Sequence, residues 1–231
     1  MLAIQNLCFA YGAIGVLDDV SMIAPAGRIT CILGRNGVGK TTLLMNAMGL
    51  LRPGAGGVFL AGVDVTALPP DRRSLRGLGL VPQGRRIFPK LTVEENLRVV
   101  LVARGQTPGR IPEDVFELFP VLRALLSRRG GDLSGGQQQQ LAIARALVAE
   151  PSVLLLDEPT EGVQPNVIRH IGSVLKRLAS ERGLTIVMVE QYLEFVREIG
   201  DRFLLMDRRR VVAEGLTSDL SSDLVHRHLA V

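Results

Sequence analysis

The chain has 231 residues, of which 47% are hydrophobic and 22% charged, with a formal net charge of +4. That length fits one domain, or one domain carrying a subdomain, with ample apolar material for a core. Aromatic residues make up only 4% and tryptophan is absent, so a base-stacking platform for single-stranded nucleic acid is excluded and no nucleic-acid partner is expected.

Residues 2–9 and 16–23 read as two strands joined by a turn at Tyr11-Gly12. Arg28 to Leu33 is a short apolar strand leading directly into Gly34-Arg35-Asn36-Gly37-Val38-Gly39-Lys40-Thr41. Lys40 to Leu50 then reads as a helix, with Arg52-Pro53-Gly54 as its stop. This is the pattern G-x-x-x-x-G-K-[ST] in the strand–loop–helix context that a phosphate-binding loop requires. The glycines let backbone N–H groups turn onto phosphate oxygens, and the helix adds the positive end of its dipole. Lys40 is placed to reach the β- and γ-phosphates, and the Thr41 hydroxyl is a hard oxygen ligand suited to Mg²⁺. Gly34 to Thr42 is therefore the expected nucleotide-binding loop.

Gly57 to Ala61 suggests another strand, and Gly79 to Val81 enters Pro82-Gln83. Beyond residue 84 the strand signal fades. Val93 to Ala103 carries Val93, Leu97, Val100 and Leu101 at helical spacing. Pro112 to Leu126 is a second helical stretch, which Pro120 should kink or split. Leu133-Ser134-Gly135-Gly136-Gln137 opens a third helix that turns Leu141, Ile143, Leu147 and Val148 inward and contains the run Gln137 to Gln140. Ser134 is an ordinary N-cap or, with Gly135 and Gly136, part of a second anion site. A second phosphate site on a chain that already has one suggests a head-to-tail dimer, each site shared between two chains.

Val153 to Leu156 is a continuous apolar run, as for a central parallel strand, and it ends in Asp157-Glu158. A carboxylate at the end of a buried strand is costly without a partner, and a Mg²⁺ shell supplies one for Asp157. Glu158 at the strand's carboxyl edge is the candidate for polarising the attacking water; alone it reads equally as a surface acid. Pro165 to Arg182 is an amphipathic helix, Leu184 to Val189 a second apolar strand, and Phe203–Met206 with Arg210–Ala213 a terminal hairpin before a short helix to Val231.

The pairs and runs Arg72-Arg73, Arg85-Arg86, Arg128-Arg129 and Arg208 to Arg210 read as solvated loops or helix ends. Cys8 and Cys31 lie in strand-like stretches and read as buried thiols, with no disulfide framework or metal site. His170, His226 and His228 lack ligand spacing, the last two reading as surface residues. No basic segment precedes an apolar one at the N-terminus, so no signal peptide is expected. No apolar run approaches the ~18 residues of a spanning helix, so a membrane process would need other chains to supply the membrane part.

Taken together and in this order, the glycine loop, Gln83, Leu133 to Gln137, Val153 to Glu158 and Glu190-Gln191 resemble the ATPase domain of ATP-binding cassette (ABC) transporters. The resemblance covers nearly the whole chain. It implies an α/β P-loop fold: a RecA-like core and small antiparallel sheet from residues 1–83 and 151–231, and an inserted helical subdomain over about 84–150. It also implies ATP and Mg²⁺ as cofactors, with two ATP molecules sandwiched between paired domains. Tyr11, otherwise a plain turn aromatic, would stack on adenine. Gln83 would join Thr41 and Asp157 as a metal ligand and link water to the helical subdomain. Ser134, Gly135, Gly136 and Gln137 would bind the partner's nucleotide. The implied partners are two transmembrane permease subunits, one of whose helices would dock near Arg85-Arg86-Ile87-Phe88-Pro89, a second ATP-binding subunit and, indirectly, an extracytoplasmic solute-binding protein. The implied place is the cytoplasmic face of the inner membrane.

Two positions depart from the common pattern: Gln191 stands where a histidine is usual, and Gln164 where an aspartate is usual. Glutamine hydrogen-bonds but carries neither proton nor charge, so Gln191 is expected to position rather than titrate. The Glu190-Gln191 pair resembles ATPase subunits of branched-chain amino acid importers. The strings Val81 to Pro89, Gly130 to Gln140 and Thr160 to Pro165 resemble more closely the second ATPase subunit of urea importers, the UrtE type. Urea import is therefore the expectation and branched-chain amino acid import the alternative. A soluble ABC ATPase acting on ribosomes or DNA would be expected to carry two cassettes or a coiled-coil insertion, and a P-loop kinase would not carry Leu133 to Gln137.

Overall fold

The computed structural model describes residues 1–105 and 109–229. In chain order the elements are β1 (Leu2–Tyr11), β2 (Ile14–Ala24), β3 (Ile29–Leu33), α1 (Lys40–Met48), β4 (Ala55–Leu60), β5 (Val63–Asp64), α2 (Pro70–Leu75) and β6 (Leu78–Val81). The helices α3 (Val93–Ala103), α4 (Glu113–Leu118), α5 (Pro120–Arg123) and α6 (Gly135–Leu147) follow. The chain closes with β7 (Val153–Asp157), α7 (Pro165–Arg182), β8 (Thr185–Val189), α8 (Leu193–Ile199), β9 (Arg202–Asp207), β10 (Arg210–Leu216) and α9 (Ser222–His228).

A six-stranded sheet in the order β10-β9-β3-β8-β7-β6 forms the centre, and a four-stranded antiparallel sheet, β2-β1-β4-β5, lies beside it. The neighbours of β3, β7 and β8 are all parallel, while β10 returns antiparallel on β9. Alternation along the central strands builds two cores. Ile29, Cys31, Leu33, Leu154, Leu156, Ile186 and Met188 face the helices α3 to α8. Ile32, Val153, Leu155, Val187 and Val189 face α1 and the antiparallel sheet.

Helix α3 starts on a capping box, in which the Thr92 hydroxyl accepts from the Glu95 N–H and the Glu95 carboxylate accepts from the Thr92 N–H. Pro120 divides the next helical stretch into α4 and α5, as its missing N–H requires.

Several expectations are corrected. α1 ends at Gly49, whose left-handed φ of 82° caps the helix, before the Arg52-Pro53-Gly54 stop is reached. The turn between β1 and β2 is Gly12-Ala13, with Tyr11 still in the strand. Cys31 is buried, and burial pushes its thiol up, but Cys8 is only half-buried. Register shifts in β1 on either side of Leu7 keep Leu7 in the core and turn Cys8 outward, where its sulfur accepts from the Asp19 N–H at 3.3 Å. His226 is exposed, but His228 is half-buried and 3.2 Å from the Asp207 carboxylate.

Candidate nucleotide and catalytic site

The parallel strands aim their carboxyl ends at one edge, the usual place for a ligand in such sheets. β3 delivers the glycine loop, β6 leads to Gln83, β7 ends in Asp157, and β8 leads to Glu190 and Gln191. Between them lies a cavity of about 760 Å³. Its walls bring together Tyr11, Val16, Asn36, Gly37, the stretch from Gly39 to Thr42, Gln83, Glu158, Thr160, Glu161, Glu190, Gln191 and Tyr192.

Glycine is required at two points of the loop. A Cβ at Gly34, with φ of 154°, would lie 2.5 Å from the Met206 carbonyl oxygen, and one at Gly39, with φ of 106°, would lie 2.8 Å from the Val16 carbonyl oxygen. Lys40 is buried and folds its Nζ onto the carbonyls of Gly34 (2.6 Å) and Arg35 (2.9 Å). Burial lowers its pKa, with Glu158 and Asp157 acting in the other direction. Its charge is thus held over the loop, within a side-chain swing of any phosphate bound there. Gly34, Arg35 and Val38 do not line the cavity; the first two serve it through their carbonyls, and Val38 packs on the core.

The Thr41 hydroxyl donates to Asp157 Oδ1 at 3.2 Å. Asp157 is 4% exposed, and burial raises its carboxyl pKa, Thr41 opposing and Glu158 reinforcing the shift. Glu158 sits at φ 49°, in the left-handed region, with its N–H bonded to the Val189 carbonyl at 3.0 Å. Its carboxylate accepts from Gln191 Nε2 at 2.5 Å and from Gln83 Nε2 at 3.1 Å. Gln191 Nε2 also reaches Asn36 Oδ1 at 2.8 Å, and Gln83 Nε2 reaches Glu161 at 3.1 Å. The two amides therefore clasp one carboxylate at the mouth of the phosphate loop.

Tyr11 is half exposed at the rim, with Phe9 edge-on at 4.8 Å between ring centroids. Ser134, Gly135, Gly136 and Gln137 lie outside this cavity. Ser134 caps α6 through a capping box with Gln137. The glycines there permit close packing: a Cβ at Gly135 would meet the Arg85 guanidinium, and one at Gly136 would meet Val167, each at 3.1 Å. Gln164 is an exposed residue at the start of α7, also outside the cavity.

Three features escape sequence reasoning. Glu161 joins the cavity wall. Arg85, expected to be solvated, bonds the Glu161 and Gly162 carbonyls at 3.2 Å and Gln138 at 3.3 Å, tying the Gln83 loop to the turn beyond Glu158. Glu190 is 2% exposed and takes hydrogen bonds from Thr160 and from the backbone of Gln191 and Tyr192. Among the described residues there is no cluster of three or more His, Cys, Asp and Glu side chains able to hold a metal ion, and no helix long and apolar enough to cross a membrane.

Residues 17–161 match the family model described as ABC transporter. The chain is 38% identical over 213 residues to the high-affinity branched-chain amino acid transport ATP-binding protein BraG of Pseudomonas aeruginosa, covering 92% of this chain and 91% of the relative. It is 38% identical over 222 residues to the probable branched-chain amino acid transport ATP-binding protein LivF of Archaeoglobus fulgidus, covering 95% and 94%. The methionine import ATP-binding protein MetN of Cupriavidus pinatubonensis is 37% identical over 228 residues, which span 95% of this chain and 66% of that one. Among solved structures, a nucleotide-free ATP-binding cassette from an ABC transporter superposes with a TM-score of 0.85 at 27% identity, covering 100% of this chain and 95% of the other. A dimeric, post-hydrolysis ATP-binding cassette bound to ADP and phosphate gives 0.83 at 27% identity, covering 94% and 99%. The family match over residues 17–161, with relatives 38% identical along more than nine-tenths of each chain, places this chain in the ABC transporter family as an ATP-binding subunit that hydrolyses ATP.

Proposed function

We propose that the chain powers import of a small amino-acid-type solute through separate permease subunits, with branched-chain amino acids as the cargo. The observation that carries this reading is the similarity to BraG and LivF at 38% identity along more than nine-tenths of each chain. Urea, the cargo expected from the sequence, becomes the second reading; the strings Val81 to Pro89, Gly130 to Gln140 and Thr160 to Pro165 support it. The cargo itself is handled by other subunits, so the cavity described above is a motor site under either reading.

In the proposed mechanism Lys40 leaves the Gly34 and Arg35 carbonyls for the β- and γ-phosphates, and Tyr11 covers the adenine. The Thr41 hydroxyl and the buried Asp157 carboxylate, 3.2 Å apart, are hard oxygen donors that fit Mg²⁺. A single carboxylate beside phosphate oxygens and water is the donor set that ion favours. Bound there, Mg²⁺ would neutralise charge on the phosphates. Glu158 orients the attacking water and accepts its proton. Gln191 and Gln83 aim Glu158, and Gln83 relays the state of the site to the helical segment. The Ser134 helix start closes the cavity of a second ATP-binding subunit, and phosphate release reopens the pair. A peripheral place on the cytoplasmic face of the inner membrane, with an extracytoplasmic binding protein delivering solute, follows from the importer reading.

The deciding experiment compares uptake of labelled leucine and labelled urea in native cells with and without this gene. Selective loss of leucine uptake supports the amino-acid reading. Selective loss of urea uptake moves the cargo to the second, and loss of neither removes both.

A further inference from the structure

Glu190 stands one residue before Gln191, and all the hydrogen bonds its carboxylate accepts come from N–H and hydroxyl donors. One oxygen accepts from the Thr160 hydroxyl at 2.5 Å and from the Thr160 N–H at 3.2 Å. The other accepts from the N–H groups of Gln191 at 2.7 Å and Tyr192 at 3.0 Å. The four donors come from two loops. Thr160 lies two residues past Glu158, on the turn leaving β7; Gln191 and Tyr192 leave β8.

The buried carboxylate therefore fastens the Glu158 turn to the Gln191 loop. Across the same gap, Gln191 Nε2 meets Glu158 Oε1 at 2.5 Å. That contact needs support, because the left-handed backbone of Glu158 (φ 49°) is strained for a non-glycine residue. A carboxylate suits the strap because both oxygens only accept. A glutamine there would accept on one oxygen and turn an NH₂ toward N–H donors on the other side.

We propose that Glu190 is a positioning residue for ATP hydrolysis, holding the Glu158 and Gln191 loops in register and acting through Gln191. The inference rests on the proposed role of Gln191. A merely structural glutamate would affect stability; a positioning glutamate lowers kcat while leaving nucleotide binding alone, and its effect disappears once Gln191 is gone.

The test measures kcat, KM for ATP, ADP affinity and Tm for the full chain carrying E190Q, Q191A, T160V and the double variants E190Q/Q191A and T160V/Q191A. E190Q is expected to lower kcat about tenfold, with KM and ADP affinity within about threefold of the parent. T160V removes one donor and should show a smaller loss in the same direction. On the Q191A background neither should lower kcat further by more than about threefold, the mark of one shared path. Full activity in E190Q beside a slow Q191A overturns the proposal, and so do losses that multiply in the double variant. Full activity in Q191A overturns the Gln191 role itself and this proposal with it. Should E190Q fail to fold, T160V alone and with Q191A decides by the same two criteria.

Discussion

At the scale of single residues, Asp157 shows stability and chemistry pulling apart. Burial raises its carboxyl pKa. An acid whose pKa is higher in the folded chain favours folding while protonated, below the ordinary aspartate value, and that contribution is lost as pH rises through the folded value. At neutral pH the ionised group is therefore a cost to the nucleotide-free chain. Asp157→Asn keeps an oxygen for the Thr41 hydroxyl and removes the charge. It is expected to raise Tm by about 2–4 °C, as relief of about 1 kcal/mol does in a chain this size, while hydrolysis is lost. A Tm that falls would mean the charge is already compensated. Gln191 gives a second residue-scale outcome. Gln191→Ala should slow hydrolysis roughly 100-fold to 1,000-fold, as loss of a preorganised donor does, whereas Gln191→His, still a donor, should remain active; an alanine variant at full rate would remove the role. The phosphate loop, Asp157 and Glu158 were legible because each carries its chemistry in a local pattern. The strap from Thr160 to Glu190 was not, because its two ends are thirty residues apart in sequence and meet only when β7 and β8 pair.

At the scale of elements, the long periodic helices and the wholly apolar strands were legible, and the short elements without a continuous apolar run were not. α3 and α7 fall on their expected bounds, since an apolar face repeated over three or more turns leaves little choice. α2, α8 and β5 have six, seven and two residues, too few for a period to show. α2 matters nonetheless, because it carries Arg73. That side chain was expected in solvent and is 1% exposed. Its guanidinium donates to the carbonyls of Asn46 (2.8 Å), Ala47 (2.7 Å), Leu68 (2.9 Å) and Thr66 (2.7 Å). The first two belong to the last turn of α1, so Arg73 supplies donors and positive charge at the negative end of the dipole of the helix that begins at Lys40, where the Asn46 carbonyl also takes the Gly49 N–H at 3.0 Å. Arg73→Met would take the guanidinium donors from all four carbonyls and should cost about 3 kcal/mol, a fall in Tm of roughly 6–12 °C. Arg73→Lys loses the planar fork and should fall between. Thermal melts check this, and a shift under about 1 °C for the methionine variant would show the cap to be dispensable.

At the scale of the whole molecule, the order of strands and helices made the α/β class legible, since apolar runs feeding helices build parallel sheets. The pairing order β10-β9-β3-β8-β7-β6 was not, because no local pattern says which buried strand lies beside which. The layout also leaves the nucleotide cavity with Tyr11 and the phosphate loop on one side and no residue from Ser134 to Gln137 in its wall. Those residues sit at the start of α6, Ser134 exposed, Gly135 and Gln137 half-buried and Gly136 buried, each with a local packing or capping role. If they also serve a nucleotide, it is one held by another chain. Glu158→Gln, which keeps the size of the side chain but gives up one of the two accepting oxygens and slows hydrolysis, is therefore expected to pair with a second cassette in the presence of ATP, read as a doubling of mass in light scattering. Adding Ser134→Arg should abolish pairing, because the arginine would occupy the joint between the chains. It should leave ATP affinity of the single chain unchanged, because Ser134 does not touch the chain's own cavity. Weakened binding in the unpaired Ser134→Arg chain would place the start of α6 in its own site and remove the argument for sharing. Pairing that survives the arginine would move the interface elsewhere on the molecule.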